Sequence, residues 1–261
     1  MASRTPSSPR PDHRRGLVWV ALAVGVMIAV TRMERDSAYL IPGVSLLLAP
    51  WMPAEAGAPA TAAAERVMGA IEDVESRMRG SRYRHEIEVN EELGLYDFDE
   101  SGWAAWVLQR AAPLAFTQLG RERPVAEDFA RVIHAAPTDG ELLGWRRLTH
   151  PSALRPGDVL AWSTPMDHRR DGLTGRVLLC AGMPVRIPGL DEAWSVEVSD
   201  ATNEFHQLDS RMMRFDLDGG VGRGTITLAV AEDGHPYAYG WQGPWSPVFL
   251  RTDVELGRVT E

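Results

Sequence analysis

The sequence predicts an α+β fold in which N-terminal helices pack on an antiparallel β-sheet. Three observations lead there. Apolar residues recur at helical spacing after about residue 61, with Val67, Ile71, Val74 and Met78 on one face. Beyond Pro156-Gly157 the pattern changes to short apolar runs separated by turn residues. Helices first and strands later argue against alternating βαβ units.

Thr61 is placed to cap the first helix and Gly80 to stop it. A second helix is expected from Ser101 to about Ala112, ended by Pro113, with Trp103, Trp106 and Val107 on its apolar stripe. A third should run from Pro124, a favourable first helical residue, through Phe129, Val132 and Ile133 to Ala136. Strands are expected at Asp158 to Trp162, Gly175 to Cys180, Ser195 to Val198, Thr225 to Val230 and Tyr237 to Trp241. The glycines from Gly219 to Gly224 read as a turn entering the next strand. A phosphate loop would need a strand before them and a helix after.

Residues 1–60 read as an export signal or membrane anchor followed by linker, and residues 61–261 as the folded domain. Arg4, Arg10, Arg14 and Arg15 precede an apolar run from Leu17 to Val30. That run is short for a spanning helix, which needs roughly 20 apolar residues, so a cleaved signal or marginal anchor fits it better. A second apolar stretch, Leu40 to Trp51, is followed by Ala54-Glu55-Ala56 and Ala58-Pro59-Ala60, both of the small-x-small form that signal peptidase accepts. Pro42, Gly43, Pro50 and Pro53 argue against a buried helix there. The chain is therefore expected to be exported, periplasmic or associated with the cell envelope.

A formal net charge of -9 argues against a nucleic-acid partner, because a phosphate backbone calls for a basic patch. The single cysteine, Cys180, excludes an intramolecular disulfide. No cofactor and no metal are expected. Asp97, Asp99 and Glu100 lie close together, but no histidine has convincing ligand spacing with them.

The most informative residues form an ordered set. Tyr83-Arg84-His85 precedes Asp99-Glu100-Ser101-Gly102-Trp103 at the start of the second helix. Arg155-Pro156-Gly157-Asp158-Val159, Gly175-Arg176-Val177 and Ser199-Asp200-Ala201 follow, and Gly222-Arg223-Gly224 comes last. Taken in this order the segments resemble the NlpC-type branch of the papain-like cysteine peptidases, the cell-wall amidohydrolases. The resemblance covers about residues 83–241. In that family an Asp-Cys-Ser-Gly-aromatic motif opens a helix and supplies the nucleophile. A Pro-Gly-Asp turn leads into the first strand, a Gly-His motif supplies the base, and a polar residue on the next strand orients it. The physics suits the layout: a thiol at a helix N-terminus ionises more easily, and a neighbouring histidine takes or returns its proton.

Carried onto this chain, the resemblance implies Glu100 at the nucleophile position, Arg176 at the base position and Asp200 as orienter. Glutamate is no substitute for a thiolate, and arginine stays protonated at any working pH. The two are complementary in charge, so an ion pair is expected in place of the dyad. Cys180 shares a strand with Arg176 but stands on the order of 13 Å from it, and reads as an inert core residue. Tyr83 and His85 fall where the family places groove-lining residues; simple packing beside the helix is the other reading. Trp103 is a further candidate at the groove edge, with core packing favoured for most of the nine tryptophans. The expectation is thus a non-hydrolytic domain that binds a cell-wall peptide or an envelope protein. The alternative is a peptidoglycan hydrolase or amidase that uses Glu100 with His85 or Asp200.

Overall fold

The computed structural model describes residues 57–164, 174–188, 190, 192–214 and 218–261. The expected signal and the first residues of the linker lie outside the described residues. Among the described residues no helix is long and apolar enough to cross a membrane.

The first helix, α1 (Ala62–Arg77), begins where the sequence places it: the Thr61 side chain accepts from the Ala64 backbone N–H. Its buried face carries Ala63, Ala64, Val67, Met68, Ile71 and Val74. A short hairpin that the sequence analysis did not anticipate follows, with β1 (Glu88–Asn90) antiparallel to β2 (Leu95–Asp97). The second helix, α2 (Glu100–Ala111), starts one residue earlier than expected because Asp99 is its cap. Pro113 ends it and opens the short α3 (Pro113–Thr117). Helix α4 (Ala126–Ala135) starts two residues after Pro124 and buries Phe129, Ala130 and Ile133.

The rest of the domain is sheet. Strands β3 (Trp145–Leu148), β4 (Val159–Ser163), β5 (Gly175–Cys180), β6 (Val185–Arg186) and β7 (Ala193–Thr202) come first. A one-turn helix α5 (Ser210–Met213) then precedes β8 (Gly220–Val230), β9 (Pro236–Gly240), β10 (Leu250–Arg251) and β11 (Glu255–Val259). They form one sheet in the order β10-β9-β8-β7-β5-β4-β11-β3, with β6 paired to β7 off this path. Every pairing is antiparallel. The chain is thus an α+β domain with a large antiparallel sheet and a few helices.

Side-chain alternation sorts the core into two layers. Val159, Ala161, Val177 and Leu179 join the helices in one cluster, together with Trp103, Phe98 and Ile71. Leu160, Trp162, Leu178 and Cys180 point the other way, into a cluster with Val196, Val198, Ile226 and Tyr239. The Pro156-Gly157 turn is seated on α1. Gly157 has φ +90 and a Cβ there would collide with the Ala64 backbone, so no other residue fits.

One expectation is corrected. The glycine stretch is not merely a turn before a strand: β8 already begins at Gly220, and Gly222 and Gly224 sit opposite Asp200 and Val198 of β7. Their smallness serves close approach. A Cβ at Gly222 would stand 2.8 Å from Arg211 Cγ, and one at Gly224 would fall on His206.

Candidate functional site

Asp99 and Glu100 are presented at the N-terminus of α2. The Asp99 carboxylate accepts from the Gly102 N–H at 2.7 Å, the ordinary duty of an acidic N-cap. Gly102 leaves the room for it, since a Cβ there would press on Asp99 Oδ1 and on Ile87. Ser101 Oγ donates to the same carboxylate and belongs to the cap. Glu100, the next residue, turns toward β5.

Arg176 stands one residue into β5, where Gly175 fixes the entry. Gly175 has φ +145, and a side chain would run into the Trp162 carbonyl. The Arg176 guanidinium bonds Glu100 through Nη1. Its Nη2 meets Glu204 at 2.9 Å, and its Cζ lies 4.7 Å from the Trp241 ring centre. The Glu100 side chain is 5% exposed and that of Arg176 15%. Burial raises the Glu100 carboxyl above its usual range, while the Arg176 charge and its own backbone N–H pull it back. Arg176 cannot release its proton, so its charge is permanent, and the upward push on Glu100 reflects how far burial offsets the attraction.

Tyr83 and His85 stand beside this pair. A parallel bridge between Tyr83 and Phe98 and the Arg84 N–H to Phe98 carbonyl bond run the segment alongside the start of α2. Burial, followed by the Glu100 carboxylate, pushes the Tyr83 hydroxyl well above its ordinary value. His85 packs its ring edge-on against Tyr83 and directs Nδ1 at Asp99 Oδ2 from 3.4 Å. Tyr83, His85, Asp99, Glu100, Ser101 and Gly175 are among the residues that line an open cleft of about 50 Å³, room for a few water-sized groups.

Trp103 is not part of that cleft. It is fully buried, its Nε1 donates to Ser199 Oγ at 3.2 Å, and its ring packs against Phe98 and Trp106. Asp200 does not meet Arg176 either. It is fully buried and bonds His206 Nε2 at 2.9 Å, with Arg211 Nη2 also 2.9 Å away. The arginine contact is a close ion pair with poor hydrogen-bond alignment, since Asp200 Oδ1 has no aligned donor. Burial pushes the Asp200 carboxyl upward, but His206 and Arg211 outweigh it and hold it below the usual carboxylate range.

Those partners belong to a buried cluster that the sequence analysis missed. Asp209 caps α5, accepts from the Arg211 N–H, and takes two side-chain bonds from Arg211 at 2.8 Å each. Arg211 Nη1 donates to the Gly220 carbonyl at 2.8 Å. His206 lies between two oxygens, the Trp241 carbonyl at 3.1 Å from Nδ1 and Asp200 at 2.9 Å from Nε2. Asp200 and Asp209 together surround the Arg211 guanidinium with negative charge. The signal for this cluster lay in His206-x-x-Asp209-x-Arg211 next to the alternate glycines 222 and 224. Cys180 is buried on the other layer, its Sγ donates to the Gly182 carbonyl, and burial pushes its thiol up.

Chemically, the cleft offers carboxylates, a phenol and an exposed imidazole. The carboxylate nearest the strand is locked to a guanidinium. No match to this chain is found among family models, curated proteins or solved structures.

Proposed function

We propose that this domain is a degenerate, papain-like member of the NlpC type, exported and held at the cell envelope, that binds a cell-wall peptide or an envelope protein without cleaving it. The observation that carries the reading is the Glu100–Arg176 ion pair at the junction of α2 and β5. A nucleophile and base that could transfer an acyl group would have to occupy those two places. A carboxylate bonded to a permanently charged guanidinium supplies neither. The cleft is lined by residues suited to recognition: Tyr83, His85 and Asp99.

The test is to incubate the purified protein with soluble peptidoglycan fragments, and to measure both retention and cleavage products. Saturable retention without products is the expected outcome. Tyr83→Phe should weaken retention about fivefold, the worth of one hydrogen bond of about 1 kcal/mol. Cleavage products would overturn the reading. They would favour a hydrolase built on His85, whose Nδ1 already faces Asp99 as an oriented base requires.

A further inference from the structure

The loop before β3 closes as a two-residue hairpin turn. Leu142 N–H donates to the Trp145 carbonyl at 2.9 Å, and Trp145 N–H donates back at 3.0 Å. Both central residues have positive φ, 51 at Leu143 and 84 at Gly144, the signature of a type I′ turn. The first central position of such a turn favours Asn, Asp or Gly, because a leucine Cβ crowds the backbone there. Here it holds a leucine, and that leucine points outward: Leu142 and Leu143 are 54% and 52% exposed. Leu114, 41% exposed, is the chain neighbour of Ala115, against which Gly144 packs so closely that a Cβ would lie 2.9 Å from the Ala115 nitrogen. Trp145 pins the turn from below, its Nε1 donating to the Ala115 carbonyl.

The position of this ridge points to its partner. Gly144 accepts from Thr260 N–H at 3.1 Å, and the neighbouring Val259 carbonyl accepts from the Thr61 hydroxyl at 2.7 Å. Thr61 is where the chain enters the domain, directly downstream of the apolar runs Leu17 to Val30 and Leu40 to Trp51. We infer that Leu114, Leu142 and Leu143 form a lipid-contacting ridge that seats this face of the domain on the membrane surface. The inference rests on the envelope location proposed above. Acidic residues Asp139, Glu141 and Glu261 neighbour the ridge in sequence or in bonding, and so do Arg66 and Arg146, which leaves no basic excess there. Apolar insertion, not attraction to anionic headgroups, is therefore the force, and the contact is insensitive to salt.

The experiment uses the full chain with zwitterionic phosphatidylcholine vesicles. Leu142→Cys is labelled with bimane, which buried Cys180 leaves unreacted, and quenching by spin-labelled lipid is read. The reference label is Met212→Cys, equally exposed on α5 against β8. β8 is five strands from β3 in the sheet, roughly 24 Å away. Quenching at 142 should be severalfold stronger than at 212 and unchanged between 0.05 and 0.5 M salt. Adding Leu143→Asn, which suits the turn better than leucine, should reduce the quenching at least twofold without lowering the melting temperature. Vesicle binding with equal quenching at the two labels, or quenching that Leu143→Asn leaves intact, overturns the ridge alone. A shift of the 142 label without lipid quenching assigns the face to a second copy and overturns it too. A chain that does not bind vesicles overturns both the ridge and the membrane part of the envelope reading, whatever its retention of cell-wall fragments.

Discussion

The Glu100–Arg176 pair should be strongly coupled in folding. Glu100→Ala strands a guanidinium beside a helix N-terminus, where the dipole repels it. Breaking a buried pair costs about 3–5 kcal/mol. Two features of the structure lower that figure. Arg176 keeps Glu204, a partner 57% exposed and worth about 0–1 kcal/mol, and it keeps the Trp241 face, worth about 1 kcal/mol. The expected cost is therefore about 2–3 kcal/mol. Arg176→Leu strands Glu100 instead. Because burial already raises its carboxyl, Glu100 takes up a proton, which limits that cost to about 2–3 kcal/mol as well. The double variant leaves no stranded charge and should cost about 1–3 kcal/mol, less than the sum. The coupling, about 3 kcal/mol, is measured by urea unfolding of the four proteins followed by circular dichroism, with m-values compared first. Glu204→Gln in all four should raise it, since the compensating anion is then gone. A coupling below about 0.5 kcal/mol in both backgrounds would refute the argument from burial.

The buried cluster makes a pH-dependent prediction. The folded-state Asp200 carboxyl lies below its unfolded value of about 3.9, so its contribution is complete above that pH and is lost as pH falls through the folded value. Asp200→Asn should therefore cost about 3 kcal/mol at pH 7, with the gap to the parent narrowing as pH falls below the unfolded value; a pH-independent gap would contradict the assignment. Gly224→Ala should destabilise by about 1–3 kcal/mol, because the new methyl group falls on His206, and an unchanged urea midpoint would show that the contact is not tight. Cys180 should stay unlabelled by iodoacetamide in the native protein and react once unfolded; rapid native labelling would place it at the surface.

How far these features could be read in the sequence depended on how local their causes are. Thr61 followed by an apolar 3.6-residue period yields α1 because capping and burial both act within one helix. Strands β4 and β5 were legible for the same reason, each being a short apolar run between turn signals. Strand β3 (Trp-Arg-Arg-Leu) and β11 (Glu-Leu-Gly-Arg-Val) were not, since their polar residues are neutralised by partners far along the chain. Arg258 is paired with Asp158, and Arg147 with Glu255. At the cleft, the motif resemblance singled out positions 100 and 176, and their opposite charges then implied an ion pair. Glu204 and Trp241, which also meet the Arg176 guanidinium, come from segments whose approach no spacing rule encodes. Asp200 was assigned to the wrong partner because its true ones, His206 and Arg211, fold back from the segment after β7. That return is governed by the missing side chains at 222 and 224.

The lock between α2 and β5 also constrains how the gene can drift. Each of its two codons is held in place by the other's product, so a change at either alone passes through a protein that carries a stranded buried charge. The tolerated routes are paired replacements, or a single step after Glu204 and Trp241 have come to hold Arg176 by themselves. In a family of such chains, positions 100 and 176 should therefore substitute together while the cleft residues Tyr83 and His85 vary on their own schedule. A sequenced lineage in which Glu100 is lost and Arg176 persists should carry its compensating acid at or beside position 204.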